Sequence, residues 1–131
     1  MSKKIIVHSD AAPKAIGPYS QAIKANGFVF LSGQTPIDPA SPTLDLVAGG
    51  ATEQTHQVFK NLIAVLTAAG TDLKHVVRCG VFLQSMGDFA AMNAVYSQYM
   101  TEEQPARSTF EVARLPKNCL VEIEMIAIMP D

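Results

Sequence analysis

The sequence predicts an α+β layer, a mixed sheet with two helices on one of its faces. Three observations carry this expectation. Segments of strand character alternate with two segments of helical period in the order strands, helix, strand, helix, strands; both helical segments are apolar on one side only; and the last strand is apolar on both sides. At 131 residues with 48% apolar content, the chain suits one domain, residues 1–131, able to bury a core without disulfide or metal staples. Trp is absent, so Val, Ile, Leu, Ala and the six Met must fill most of that core.

The elements follow in chain order. KIIVHS is a short first strand, and AAPKAIGPYSQ is a loop broken by Pro13, Gly17 and Pro18 that holds Tyr19. In AIKANGFVFLSG, Asn26-Gly27 separates two strand-like runs, and both residue types accept the positive φ of a type I′ hairpin turn. From Pro36 to Gly50 the chain is rich in Pro, Ser, Asp and Gly and reads as a surface loop. TEQTHQVFKNLIAVLTAAG then sets Val58, Phe59, Leu62, Ile63, Leu66 and Ala69 on one helical stripe, with Thr52 as N-cap and Gly70 as the stop. VVRCGVFL has the β-branched content and length of a buried strand. A second helix is expected from about Asp88 to Met100, where Phe89, Met92, Tyr96 and Tyr99 form a core stripe. Pro105 limits its continuation, and the last two strands flank the turn-prone Leu115-Pro116-Lys117-Asn118.

In the last strand Val121, Ile123, Met125 and Ala127 point one way, while Leu120, Glu122, Glu124, Ile126 and Ile128 point the other. Both faces have buried character. Two helices can cover only one, so the other is expected to pack on further copies of the chain, as a homo-oligomer.

Charge and composition narrow the function classes. The formal charge is −2 and the basic residues are scattered, which disfavours nucleic acid as a partner. Cys79 and Cys119 lie outside any CxxC pattern in apolar stretches and read as buried reduced thiols of a reducing compartment. His8, His56 and His75 share no ligand spacing, so no metal site is expected. The start MSKKIIVHSD turns polar too early for a secretory core, and no run approaches ~18 apolar residues, so the expectation is a cytoplasmic protein with no membrane association.

Few side chains carry candidate chemistry. Arg107 is either a surface or ion-pairing arginine or a planar fork that grips a small carboxylate bidentately. Glu122 and Glu124 share a face bordered by Ile and Met, where at least one should meet a cleft or interface with restricted water; for Glu124 the exposed reading is kept. Gly33, after Ser32, marks a bulge or a close approach of backbone or ligand. Ser32 has no GxSxG context and no histidine at a recognisable distance, which gives no support to a hydrolase triad. Tyr19 and Asn93 are, alone, a packing residue with a tethered hydroxyl and a solvated helix residue.

Together, IGPYSQA (Ile16 to Ala22), LSGQTP (Leu31 to Pro36), DFAAMNAVY (Asp88 to Tyr96) and PARSTFEVARLPKNCLVEIEMIA resemble the Rid/YjgF family, in its reactive intermediate deaminase A branch. The resemblance spans essentially the whole chain, and its most specific part is PARS followed by EVARLP and VEIE. It implies a chorismate-mutase-like fold, a six-stranded mixed sheet with two helices on one face, assembled as a homotrimer with sites between subunits. It also implies hydrolysis of 2-imino acids and their enamine tautomers, such as 2-aminoacrylate, to 2-keto acids and ammonia without metal or organic cofactor: a 2-iminobutanoate/2-iminopropanoate deaminase. By the same resemblance Arg107 grips the substrate carboxylate, Glu122 positions or activates the attacking water, and Tyr19, Ser32, Gly33 and Asn93 line the cleft. Thr109 joins that lining where many members have Cys, which excludes a thiol there. Two other readings stand beside this one: a non-enzymatic binder of small carboxylates, and a translation-inhibiting ribonuclease, against which the balanced charge argues.

Overall fold

The hairpin at Asn26-Gly27 sets the register of one half of the sheet. In the computed structural model, which describes residues 3–131, Asn26 has φ 51° and Gly27 φ 80°, the paired left-handed turn positions expected from the dipeptide. The hairpin joins β2 (Ala22–Ala25) to β3 (Phe28–Gln34), with β1 (Ile5–Val7) antiparallel on the outer side of β2. After α1 (Ala51–Ala69) come β4 (Val76–Leu83), α2 (Phe89–Tyr99), β5 (Ala106–Glu111) and β6 (Val121–Ile128). The strands form one six-stranded sheet in the order β1-β2-β3-β6-β4-β5. Only β4 and β5 run parallel, joined by the α2 crossover, so the sheet is mixed. Although β5 and β6 follow one another in the chain, β4 lies between them, and β6 is central.

The first helix starts earlier than its expected cap. Gly50, not Thr52, is the N-cap: the Glu53 carboxylate reaches back to accept the Gly50 N–H at 2.8 Å, which leaves Thr52 inside the first turn. Gly70, at φ 90°, ends the helix as predicted, its N–H donating to the Thr67 carbonyl.

The core fills the space between the helices and one sheet face. Val58, Phe59, Leu62, Val65 and Leu66 of α1 and Met92, Val95 and Tyr96 of α2 pack on Val29, Leu31, Val81, Ile123 and Met125. Val65 takes the buried place expected for Ile63, which is only half-buried at the side of the stripe. The Phe59 and Tyr99 rings stack at 4.5 Å, and the Tyr99 hydroxyl meets His56 Nδ1 at 2.9 Å, tying α1 to α2. Cys79 and Cys119 are both buried free thiols.

In β6 burial alternates as expected, with Val121, Ile123, Met125 and Ala127 inside. The opposite face is only partly buried in the single chain. Phe28 and Phe30 on β3 and Phe110 on β5 stand there 41%, 45% and 56% exposed, apolar side chains without a cover. Among the described residues no helix is long and apolar enough to cross a membrane.

Candidate functional site

A bulge builds the first part of the site. Between Leu31 and Gln34 the β3–β6 register shifts, so Ser32 and Gly33 together oppose a single residue, Glu124. The extra residue breaks the ladder: the Ser32 hydroxyl donates to the Ser20 carbonyl at 2.6 Å and its N–H to the Gln21 carbonyl at 3.0 Å. Gly33 then lies directly beneath the Glu122 side chain. A Cβ at Gly33 would overlap Glu122 Oε2 and lie 2.9 Å from its Cδ, so the missing side chain is what lets the carboxylate rest on the bulge. The close approach expected at Gly33 is therefore made by a side chain of this chain.

Tyr19, Ser32, Gly33 and Glu122 line one cleft of about 460 Å³, with Ile16 and Lys117 at its sides. The Tyr19 hydroxyl accepts the Ile16 N–H at 3.3 Å, the tether foreseen for it. Burial pushes the Glu122 carboxyl pKa up, and the negative charge of Glu124 on the same face adds to the shift. A carboxylate so placed is a better proton acceptor than one in open water.

The second part lies elsewhere. Arg107 is in register with Cys79, and Cys79 with Met125, so Arg107 points to the helix-covered face, opposite to Glu122. There its Nη1 donates to Asn93 Oδ1 at 2.8 Å. The guanidinium carbon lies 4.6 Å from the Tyr96 ring centroid and 5.6 Å from that of Phe89. Among the described residues the only ion pairs within 4.0 Å are His8–Asp10 and His75–Asp72, so Arg107 is not the ion-pairing arginine that one reading allowed. Its charge is held in place but not neutralised. Asn93, Tyr96, Arg107 and Gln104 border an open hollow of about 450 Å³.

Thr109, in register with Val81, shares the face of Arg107. Its hydroxyl oxygen is buried and has no hydrogen-bond partner, alone in this among the described residues. Burial and the Cys79 thiol push the Tyr96 phenol pKa far upward, so the ring beside the guanidinium stays neutral.

One chain thus groups Tyr19, Ser32, Gly33 and Glu122 in one cleft and Asn93 with Arg107 in another, and does not bring the two together. Sequence reasoning missed Tyr96 and Phe89 as the bracket of Arg107, because both sat in a stripe read as core. The available signal was Asn93, three residues before Tyr96 and hence on the same helix flank. Lys117 was also missed at the Glu122 cleft. Among the described residues no three His, Cys, Asp or Glu side chains cluster as metal ligands would.

A six-stranded mixed sheet with two helices on one face, bearing an uncompensated guanidinium and a bulge-seated carboxylate, defines a small α+β protein of the Rid/YjgF class. The chain belongs to the endoribonuclease L-PSP family, also called YjgF/Rid, whose sequence profile matches residues 9–129. It is 52% identical over 130 residues to Protein DfrA of Myxococcus xanthus, covering 98% of this chain and 97% of that protein. It is 43% identical over 123 residues to the 2-iminobutanoate/2-iminopropanoate deaminase of Mus musculus, covering 94% and 90% respectively. The crystal structure of E. coli TdcF with bound serine superposes with a TM-score of 0.89 at 36% identity, covering 96% of this chain and 99% of the other.

Proposed function

We propose that the chain is an imine deaminase that hydrolyses small 2-imino acids, in the class of 2-iminobutanoate and 2-iminopropanoate, to 2-keto acids and ammonia. The observation that carries this reading is the Arg107 guanidinium, fixed by Asn93 and Tyr96 yet without a carboxylate of its own. Such a fork suits the carboxylate of a small substrate. An imine carbon is already electrophilic and needs mainly orientation and a water molecule. Glu122 accepts a proton from that water as it attacks the protonated imine carbon, and returns it to the nitrogen of the resulting carbinolamine; the C–N bond then breaks as the hydroxyl proton passes to Glu122, and ammonia leaves behind a keto acid. Water is consumed and no oxidant is required.

Because Arg107 and Glu122 face opposite sides of the sheet, the reading requires Arg107 of one copy to meet Glu122 of another. The exposed Phe28, Phe30 and Phe110 supply a surface for that association, as a homotrimer with shared clefts. The relation to a named deaminase supports the same chemistry.

The test is ammonia release from 2-aminoacrylate generated by a coupled dehydratase, with the wild-type chain and Arg107→Ala at equal assembly state. Acceleration by the wild type and its loss in the variant are expected; an unchanged variant rate refutes the role of Arg107. TdcF with bound serine favours a second reading, a non-enzymatic binder of small amino or keto acids. That reading predicts saturable binding, lost in Arg107→Ala, with imine hydrolysis at its spontaneous rate.

A further inference from the structure

Two charged side chains on the open sheet face touch no substrate in the chemistry above, and Glu124 enters it only through its effect on Glu122. Arg78 of β4 is in register with Ile126 of β6, and Glu124 of β6 with Gly80 of β4, so they are diagonal neighbours on that face. They do not pair. Among the described residues neither has an opposite charge within 4.0 Å. Arg78 Nη2 instead donates to Ser108 Oγ at 3.3 Å. The Glu124 side chain lies flat across Gly80, where a Cβ would stand 3.0 Å from its Cγ and its Oε2. A hollow of about 190 Å³, bordered by Phe30 and Ile126, lies between them.

These charges stand among the aromatic residues that the proposed assembly covers. Covering the face strips water from both, and a charge left unpaired in such a place is strongly disfavoured. One positive and one negative group at fixed spacing on the same face make that face complementary to a second copy of itself. A contact in which the positive group of each copy meets the negative group of the next is head-to-tail, the kind that closes into a ring.

We propose that Arg78 of one copy pairs with Glu124 of a second copy, and that this pair sets the register in which the copies associate and hence brings the Arg107 and Glu122 clefts together. The inference rests on the shared-cleft reading given above. Apolar contacts between Phe28, Phe30 and Phe110 supply attraction but little orientation; the charge pair rejects registers that leave either group alone.

The test uses Arg78→Glu and Glu124→Arg, each carrying a different tag, followed by light scattering, tag capture and ammonia release. Each variant alone is expected to associate at least tenfold more weakly than wild type and to lose activity in proportion. Mixing them is expected to restore association of unlike copies in part, because in a ring of three two contacts become opposite-charge while one still joins like copies. The double exchange in a single chain is expected to assemble by itself, which guards against poor folding of a single variant. Pairing confined within one chain would give no rescue on mixing. Wild-type association by both single variants, or a mixture that stays apart, overturns the proposal. A monomeric wild-type chain sinks the shared cleft as well, whereas an assembled, active wild type with indifferent variants sinks only the charge pair.

Discussion

Gly33→Ala isolates the role of the bulge with one methyl group. Gly33 is not among the residues with positive φ, so alanine meets no backbone strain there. Its Cβ would overlap Glu122 Oε2 and lie 2.9 Å from Cδ and 3.1 Å from Cγ. Ordinary contact between carbons is about 3.5–4.0 Å, so the carboxylate must withdraw by on the order of 1 Å. The Glu122 side chain is free to do this at its far end, and the fold has no reason to suffer. A shift of that size at a group that orients the attacking water costs about 10²-fold in rate, or ~2.7 kcal/mol of barrier. The expected result in the ammonia-release assay is a kcat lower by about 10- to 100-fold, with KM within about twofold because Arg107 still holds the substrate carboxylate. The unfolding temperature should hold or rise, since replacing glycine at an unstrained site restricts the unfolded chain. A variant with wild-type kcat would refute the reasoning, as would one whose loss of rate appears only as a raised KM.

Other expectations test the remaining parts. Tyr96→Leu removes the ring beside the guanidinium and should raise KM about 3- to 30-fold with kcat less affected, while Tyr96→Phe should keep near-normal KM; equal effects of both would point to packing alone. Glu122→Gln should abolish the acidic limb of the pH–rate profile, a limb that in the wild type lies above that of an ordinary carboxylate because burial raises the Glu122 pKa. The same shift fixes a stability trend. Folded Glu122 holds its proton more tightly than the unfolded chain, so its contribution is fully present below the unfolded value of about 4.3 and is lost as pH rises through the folded value. Glu122→Gln should therefore melt higher than wild type at neutral pH, with the difference closing in acid; a gap that widens in acid would reverse the assignment. Leu62→Ala, at a side chain with no exposure, should cost about 2–5 kcal/mol in denaturant unfolding; a loss under 1 kcal/mol would contradict its place in the core.

Local chemistry made much of the fold legible. Asn26-Gly27 could only turn the way it does, Gly70 could end α1 where other residues would be strained, and the period-two pattern of β6 assigned each side chain to its face. Thr52 misled because cap preference is a single-residue signal, whereas Glu53 reaching back to Gly50 is a three-residue event. The candidate residues were legible one by one or through family resemblance, but their grouping was not. Arg107 lies on β5, and its face depends on parallel register with β4, which depends in turn on the crossover through α2.

Unaided, the sequence determined the elements, the face each residue of β6 presents, and the surplus of apolar surface over what two helices can hide. These follow from side-chain period and turn chemistry, which act over a few residues. Tertiary structure alone decided that β6 lies between β3 and β4, that a bulge seats Glu122 on Gly33, and that Arg107 leans on Tyr96 across the sheet from that carboxylate. Such placements depend on pairings between residues far apart in the chain, whose register is settled only when the whole sheet forms.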